Sequence, residues 1–235
     1  MPPSRAEPEP TGTGDLDDQV RRADPDRWLA TRFIADTRAR ADVIALYAYD
    51  LELARAPRAA SNTLTAEIRL TWWREVLDQI YGGQPVRRHP VAQALADVVA
   101  RRRLPRAPLE AMIDARIEAL GLETLAGEDA EAWADQVGGS AAALAAVILD
   151  PGADSEAARR AGRAWGLALL KRSGRLADAT LLKSALAQVG SARLSVAAFP
   201  AIAHVTLARA DLRDTELSDF GRRRRLLWAV LSGRV

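Results

Sequence analysis

Apolar residues along this chain recur at three- and four-residue intervals, the spacing that gathers side chains on one face of an α-helix. Trp28, Leu29, Phe33 and Ile34 mark a first helix from about Asp26, with Asp24 or Asp26 placed to cap its free N–H groups. Val43, Ile44, Leu46, Tyr47, Leu51 and Leu53 mark a second from about Arg38. It is predicted to stop before Pro57, because the residue preceding a proline is disfavoured in the helical region. Residues 62–81 form a third, with Leu64, Ile68, Trp72, Val76 and Ile80 as its apolar face and Gly82-Gly83 as its stop. Pro90 opens a fourth helix over 91–102, and Pro105 with Pro108 opens a fifth ending near Leu120.

Further along, 128–149 reads as one long helix whose Gly138-Gly139-Ser140 predicts either close helix contact or a bend. Helices over 154–173, 176–189, 199–213 and 215–231 follow. No stretch alternates with the period of two that a half-buried strand requires. The expectation is an all-α, single-domain helical bundle over 23–235. Residues 1–22, rich in Pro, Gly and acid, read as a disordered tail.

Composition narrows this picture. Hydrophobic residues make up 49% of the 235, enough for a sizeable core. No Cys is present, which excludes a disulfide framework, a thiol nucleophile and Cys-ligated metal. His89 and His204 are the only two histidines; the first is expected at a helix start, capping or exposed, the second as a satisfied core residue. Neither has a sequence neighbour that points to a Ser-His-Asp arrangement. The 33 basic residues are Arg apart from Lys171 and Lys183, and 31 acidic residues are interspersed with them, so the net charge is only +2. That balance describes solvated helix faces and excludes nucleic acid as a partner. No apolar run reaches the ~18 residues that span a bilayer, and the first residues lack the apolar stretch of a secretory signal. The expected location is cytoplasmic, with a peripheral contact to the inner membrane.

Four strings, in order, carry a resemblance. Leu46-Tyr47-Ala48-Tyr49 is similar to an LYAF segment, and the stretch from Glu67 to Glu75, EIRLTWWRE, to an RL-x-WWRE segment. His89-Pro90-Val91-Ala92-Gln93-Ala94-Leu95 and then Leu104-Pro105-Arg106, leading to Ile113-Asp114-Ala115-Arg116, complete the set. Together they resemble the squalene/phytoene synthase family, best over 26–149. The resemblance implies an isoprenoid-synthase-like bundle around a central cavity. It also implies head-to-head coupling of prenyl diphosphates, with Mg²⁺ held by two Asp-rich motifs on facing helices. Hard cations need carboxylate oxygens converging from opposite walls.

The sequence departs from the family there. Tyr47-Ala48-Tyr49 laid on the family's YAF segment puts Ala54 and Arg55 at the first paired aspartates and Arg58 at the third. The neighbouring Asp50 and Glu52, two residues apart, are expected to point away from each other. Where the second motif belongs stand Lys171, Arg172, Ser173, Gly174 and Arg175. Guanidinium groups repel Mg²⁺ and cannot coordinate it. The reading is therefore a non-catalytic relative that takes neither metal nor cofactor, resembling the complex I assembly factor branch. Its expected partners are a lipid or isoprenoid ligand and a membrane respiratory complex; the sequence does not speak to oligomeric state. The alternative is a prenyltransferase with an atypical Mg²⁺ site.

Three candidate sites follow. Arg55, Arg58, Arg69, Trp73 and Arg74 form an anion- or lipid-binding set, with Trp72 in the core and Trp73 at its margin. Asp114 and Glu118, four apart on one helix, are a residual acidic pair whose bland counterpart is an Arg-paired face. Arg222, Arg223, Arg224 and Arg225 beside Trp228 have the makings of an interfacial membrane helix, set against a final helix packed on the bundle.

Overall fold

The computed structural model describes residues 12–58, 62–189 and 193–235. The helices are α1 (Gly12–Ala23), α2 (Pro25–Thr31), α3 (Thr37–Arg58), α4 (Thr63–Tyr81), α5 (Pro90–Arg102) and α6 (Arg106–Glu118). Next come α7 (Gly127–Ala134), a π-helical turn (Asp135–Gly139), α8 (Ser140–Leu149), α9 (Ser155–Arg172) and α10 (Thr180–Val189). Two 3₁₀ turns (Phe199–Ala201 and Ala203–Leu207), α11 (Ala208–Leu212) and α12 (Asp219–Ser232) close the chain. Among the described residues the only extended pairing is a single parallel bridge, Leu125 with Leu176.

Local chemistry explains most boundaries. The side chains of Asp24, Asn62, Asp154 and Ser218 accept backbone N–H bonds at the starts of α2, α4, α9 and α12, each satisfying a donor that the helix leaves free. Two boundaries differ from expectation. α3 runs through Pro57 to Arg58. Proline's missing N–H costs one bond in the last turn, where α3 is already ending, rather than breaking a helix centre. And 176–213 is less helical than its periodicity predicts: α10 starts only at Thr180, and 199–213 breaks into 3₁₀ turns and the short α11. Pro200 lies inside the first of these turns, among buried Phe199, Ile202, Val205 and Leu207.

The tail is corrected too. From residue 12 the chain is helical, and Leu16 and Val20 of α1 are buried against the bundle, while the half-buried Asp17 accepts the Trp28 indole N–H. Residues 1–11 of that expectation lie outside the described residues.

Two helices organise the interior. α3 is buried almost continuously from Val43 to Leu53 and packs on α1, α4, α5 and α8. α9 packs on α7, α8 and α10. The contact between α9 and the π-turn is backbone on backbone: a Cβ on Gly138 would lie 2.2 Å from the Gly162 carbonyl, and one on Gly166 would lie 2.7 Å from Ala134. The close contact falls at the π-turn, whose Gly138 meets α9. The segment 127–149 is long and apolar enough to cross a membrane by length and composition, but 61% of that window is buried inside the bundle. It is a core helix.

Candidate functional site

The C-terminal halves of α3 and α9 converge on one cavity of about 1040 Å³. α3 supplies Asp50, Leu51, Ala54, Pro57 and Arg58, one face of the helix at three- and four-residue spacing. α9 and its exit supply Leu169 through Ser173 and Arg175. The start of α2, the end of α6 with its following loop, and the link from α11 to α12 complete the wall. The cavity therefore sits between the two segments where the resemblance places its metal-binding motifs.

Charge dominates its floor. The Asp50 carboxylate, 4% exposed, takes one guanidinium from Arg27 at 2.7 Å and another from Arg116. Arg27 also bonds Asp24, whose carboxylate accepts the Arg27 backbone N–H as well. Arg116 donates onward to the Met112 carbonyl. Burial alone raises a carboxyl pKa, but Arg27 and Arg116 outweigh it and hold Asp50 below its ordinary value, and Arg27 does the same for Asp24. A second group lies beside the first. Asp26 accepts from Arg172 at 3.1 Å and from Arg222 at 3.0 Å, while Arg172 also grips Asp211 through two bonds of 2.7 and 2.8 Å. Here burial wins over both arginines, and the Asp26 pKa is raised. Lys171 pairs with Asp214.

Seven basic and six acidic side chains line the cavity. Five of the basic ones, Arg27, Arg116, Lys171, Arg172 and Arg222, are ion-paired. Arg58 and Arg175 have no carboxylate partner among the described residues. Behind the floor the bundle is filled by Tyr47, Tyr49, Leu53, Met112 and Trp165, all under 2% exposed. Tyr49 donates its hydroxyl to the Leu109 carbonyl.

These donors do not suit Mg²⁺. Ala54, Arg55 and Arg58 stand where the first motif needs carboxylates, and Lys171, Arg172, Ser173 and Arg175 where the second does. The wall does hold Asp24, Asp26 and Asp50, but guanidinium groups occupy their oxygens. A cation would have to displace salt bridges and then sit among arginines. Among the described residues no group of three or more His, Asp or Glu is arranged to hold a metal.

The expected anion set is not assembled. Arg58 reaches the cavity, but Arg55 points away from it and pairs with Glu52. Arg69 is exposed, and Arg74 is bound to Asp114. Trp73 is buried, edge-on to Tyr49, whereas Trp72 is half-buried beneath the Arg87 guanidinium; core and margin are exchanged. α4 is rotated relative to expectation. It buries Ala66, Leu70, Trp73, Val76 and Leu77 and leaves Leu64 and Ile68 on the surface. Asp114 is taken by Arg74 and Glu118 is exposed, so of the pair only Asp114 is on an Arg-paired face. His89 makes no capping bond and lies against the rings of Trp72 and Trp73. His204 is buried against Trp165, its Nδ1 without a hydrogen-bond partner among the described residues.

The arginine run of α12 divides. Leu226 and Ala229 face inward and Arg222 turns into the cavity to reach Asp26. Arg223 and Arg224 are exposed and Arg225 half-buried, while Phe220, Leu227, Trp228 and Leu231 stand 76%, 48%, 72% and 73% exposed. The floor residues Asp24, Asp26, Arg27 and Arg116 were not anticipated. Asp24 and Asp26 read locally as caps, and Arg116 only as the last residue of the Ile113-Asp114-Ala115-Arg116 string. Only Asp50, one helical turn before Ala54, carried a signal.

This all-helical bundle, with two inner helices opening onto one cavity, has the isoprenoid-synthase-like fold that the resemblance implied. The squalene/phytoene synthase model matches residues 20–175, and the chain belongs to that family. A dehydrosqualene synthase solved in complex with ligand is similar in structure, with a TM-score of 0.74 and 16% identity over 94% of this chain and 96% of that one. Squalene synthase HpnC from Alicyclobacillus acidocaldarius is also similar, with a TM-score of 0.61 and 16% identity over 94% of each chain. No curated protein sequence matches this one.

Proposed function

We propose that this protein is a non-catalytic member of the squalene/phytoene synthase family, using its cavity to hold an isoprenoid-type lipid without Mg²⁺. One observation carries the reading: the walls that would present metal-binding carboxylates present guanidinium groups, and Asp24, Asp26 and Asp50 between them are already paired with arginines. Ionisation of a prenyl diphosphate needs its developing charge neutralised by a cation held between those walls. The structural neighbour solved with a ligand supports a bound molecule in this fold. The finer assignment, to the assembly-factor branch acting at a membrane respiratory complex, rests on the same loss of carboxylates.

The outer face of α12 supports a membrane contact. Phe220, Leu227, Trp228 and Leu231 lie on the surface beside Arg223 and Arg224, the combination that seats an amphipathic helix at an anionic interface. Arg222 ties this helix to the cavity wall, so a lipid leaving the interface would enter beside it.

Incubation with farnesyl or geranylgeranyl diphosphate and Mg²⁺ tests the central claim. No pyrophosphate should be released, and lipid extracted from protein purified in mild detergent should contain a bound isoprenoid. Mg²⁺-dependent turnover that Asp50→Asn abolishes would restore the prenyltransferase alternative. Sedimentation with phosphatidylglycerol vesicles tests the surface: the Trp228→Ala/Leu231→Ala double variant should lose most vesicle binding while its melting curve stays unchanged.

A further inference from the structure

The cavity's basic residues fall into two sorts. Those of the floor are neutralised by Asp24, Asp26, Asp50 and Asp211, whereas Arg58 and Arg175 are not. Arg175 is held firmly in place. Its backbone carbonyl accepts the Leu125 N–H, and its guanidinium donates to the carbonyls of Ala119 and Leu122 at 3.0 and 3.1 Å. Two guanidinium N–H groups are thus directed at neutral oxygens, leaving the cation's charge uncompensated. Arg58 reaches the same wall from the last residue of α3. The two are near enough that Arg58 adds to burial in lowering the Arg175 pKa. Keeping like charges together costs energy that a bound anion would recover. Glu216, an acid of the lining with no cationic partner among the described residues, belongs to the link from α11 to α12, with Thr215 and Leu217.

We infer that Arg58 and Arg175 form a metal-free clamp for a phosphate or diphosphate group, at the place where an enzyme of this family would hold its metal. The inference rests on the proposed non-catalytic reading and names the head group that the cavity selects. Guanidinium forks match phosphate oxygens directly, so the clamp needs no bridging cation. Leu51, Leu120, Leu122 and Leu169 of the same lining give a chain an apolar surface to lie against.

Calorimetric titration in EDTA tests this, with inorganic pyrophosphate, farnesyl diphosphate and farnesol as probes. Farnesyl diphosphate should bind without metal, and Arg58→Gln and Arg175→Gln should each weaken it at least tenfold. Arg55→Gln, outside the cavity, should leave it unchanged. Tighter binding of farnesyl diphosphate than pyrophosphate identifies a lipid head group, and equal binding a free anion; both support the clamp. Binding that appears only with Mg²⁺, or that Arg58→Gln and Arg55→Gln affect equally, overturns it. Farnesol binding with no response to pyrophosphate or farnesyl diphosphate also overturns the clamp while leaving the lipid-holding reading intact. Because Arg175 also anchors a loop, Arg58→Gln, at an exposed helix end, is the decisive variant, with circular dichroism confirming its fold.

Discussion

At the floor of the cavity Arg27 and Arg116 share the buried Asp50, whereas at its rim Arg58 and Arg175 lie close together with no carboxylate among the described residues to neutralise them. The side chains are the same; their circumstances are opposite. A buried guanidinium is tolerable only when paired, and the geometry of its partner then becomes part of the fold. One at a solvent-accessible rim stays hydrated and keeps its charge available to an anion. Arginines lying where the resemblance puts the family's metal-binding motifs therefore do two jobs, one fixing the packing of the helices through a buried carboxylate and the other leaving a positive edge.

Breaking the floor should give the largest effect. Asp50→Ala leaves two buried guanidinium groups facing each other and is expected to cost about 3–5 kcal/mol in urea unfolding. A loss below about 1 kcal/mol would show that the floor is not structural. The next effect is a pH dependence. Burial, with Arg27 and Arg172 adding to it and Asp24 opposing, pushes the His204 pKa down from 6.5 to about 3. The unfolded chain takes up a proton near 6.5 that the folded chain refuses until about 3. Stability is therefore intact above that window and lost as pH falls through it, by an amount on the order of 2–4 kcal/mol. His204→Gln should flatten this limb of the pH–stability curve, measured by thermal melts between pH 7 and 4.

Asp26 sits between the two extremes. It is buried, but its partners Arg172 and Arg222 are each about one-third exposed. Asp26→Asn should cost only about 1–2 kcal/mol, since water can reach the arginines left behind. The smallest effect on stability belongs to the rim. Arg58→Gln should change unfolding by less than about 0.5 kcal/mol, the range of ordinary surface substitutions, while removing most anion binding. A large stability loss there would erase the distinction between rim and floor.

Much of this was legible in the sequence because it is local. The helical period, the capping Asp24, and the small-residue stretch around Gly138 act within a few residues of chain. The replacement of carboxylates by Ala54, Arg55 and Arg58 needed only an aligned segment. What escaped was orientation. On α4 the apolar residues are spread around the helix, so Leu64–Ile68–Trp72 read as the buried stripe although Leu70–Trp73–Leu77 has equivalent helical spacing. Only packing against α3 and α6 chose the second. The arginines of α12 were treated as one unit, yet a helix turns about 100° per residue, and Arg222 alone faces Asp26.

Periodicity and residue types in short segments sufficed to read an all-helical family member with Ala54, Arg55 and Arg58 where the resemblance places the first metal-binding carboxylates. Which charges cancel was set by how the helices pack. Asp50 meets Arg116 across 66 positions and Asp26 meets Arg222 across 196, distances over which a linear pattern holds no information about contact. Whether an arginine supports the fold or remains free to take an anion depends on the carboxylate within about 4 Å, and that neighbour exists only once the helices have packed.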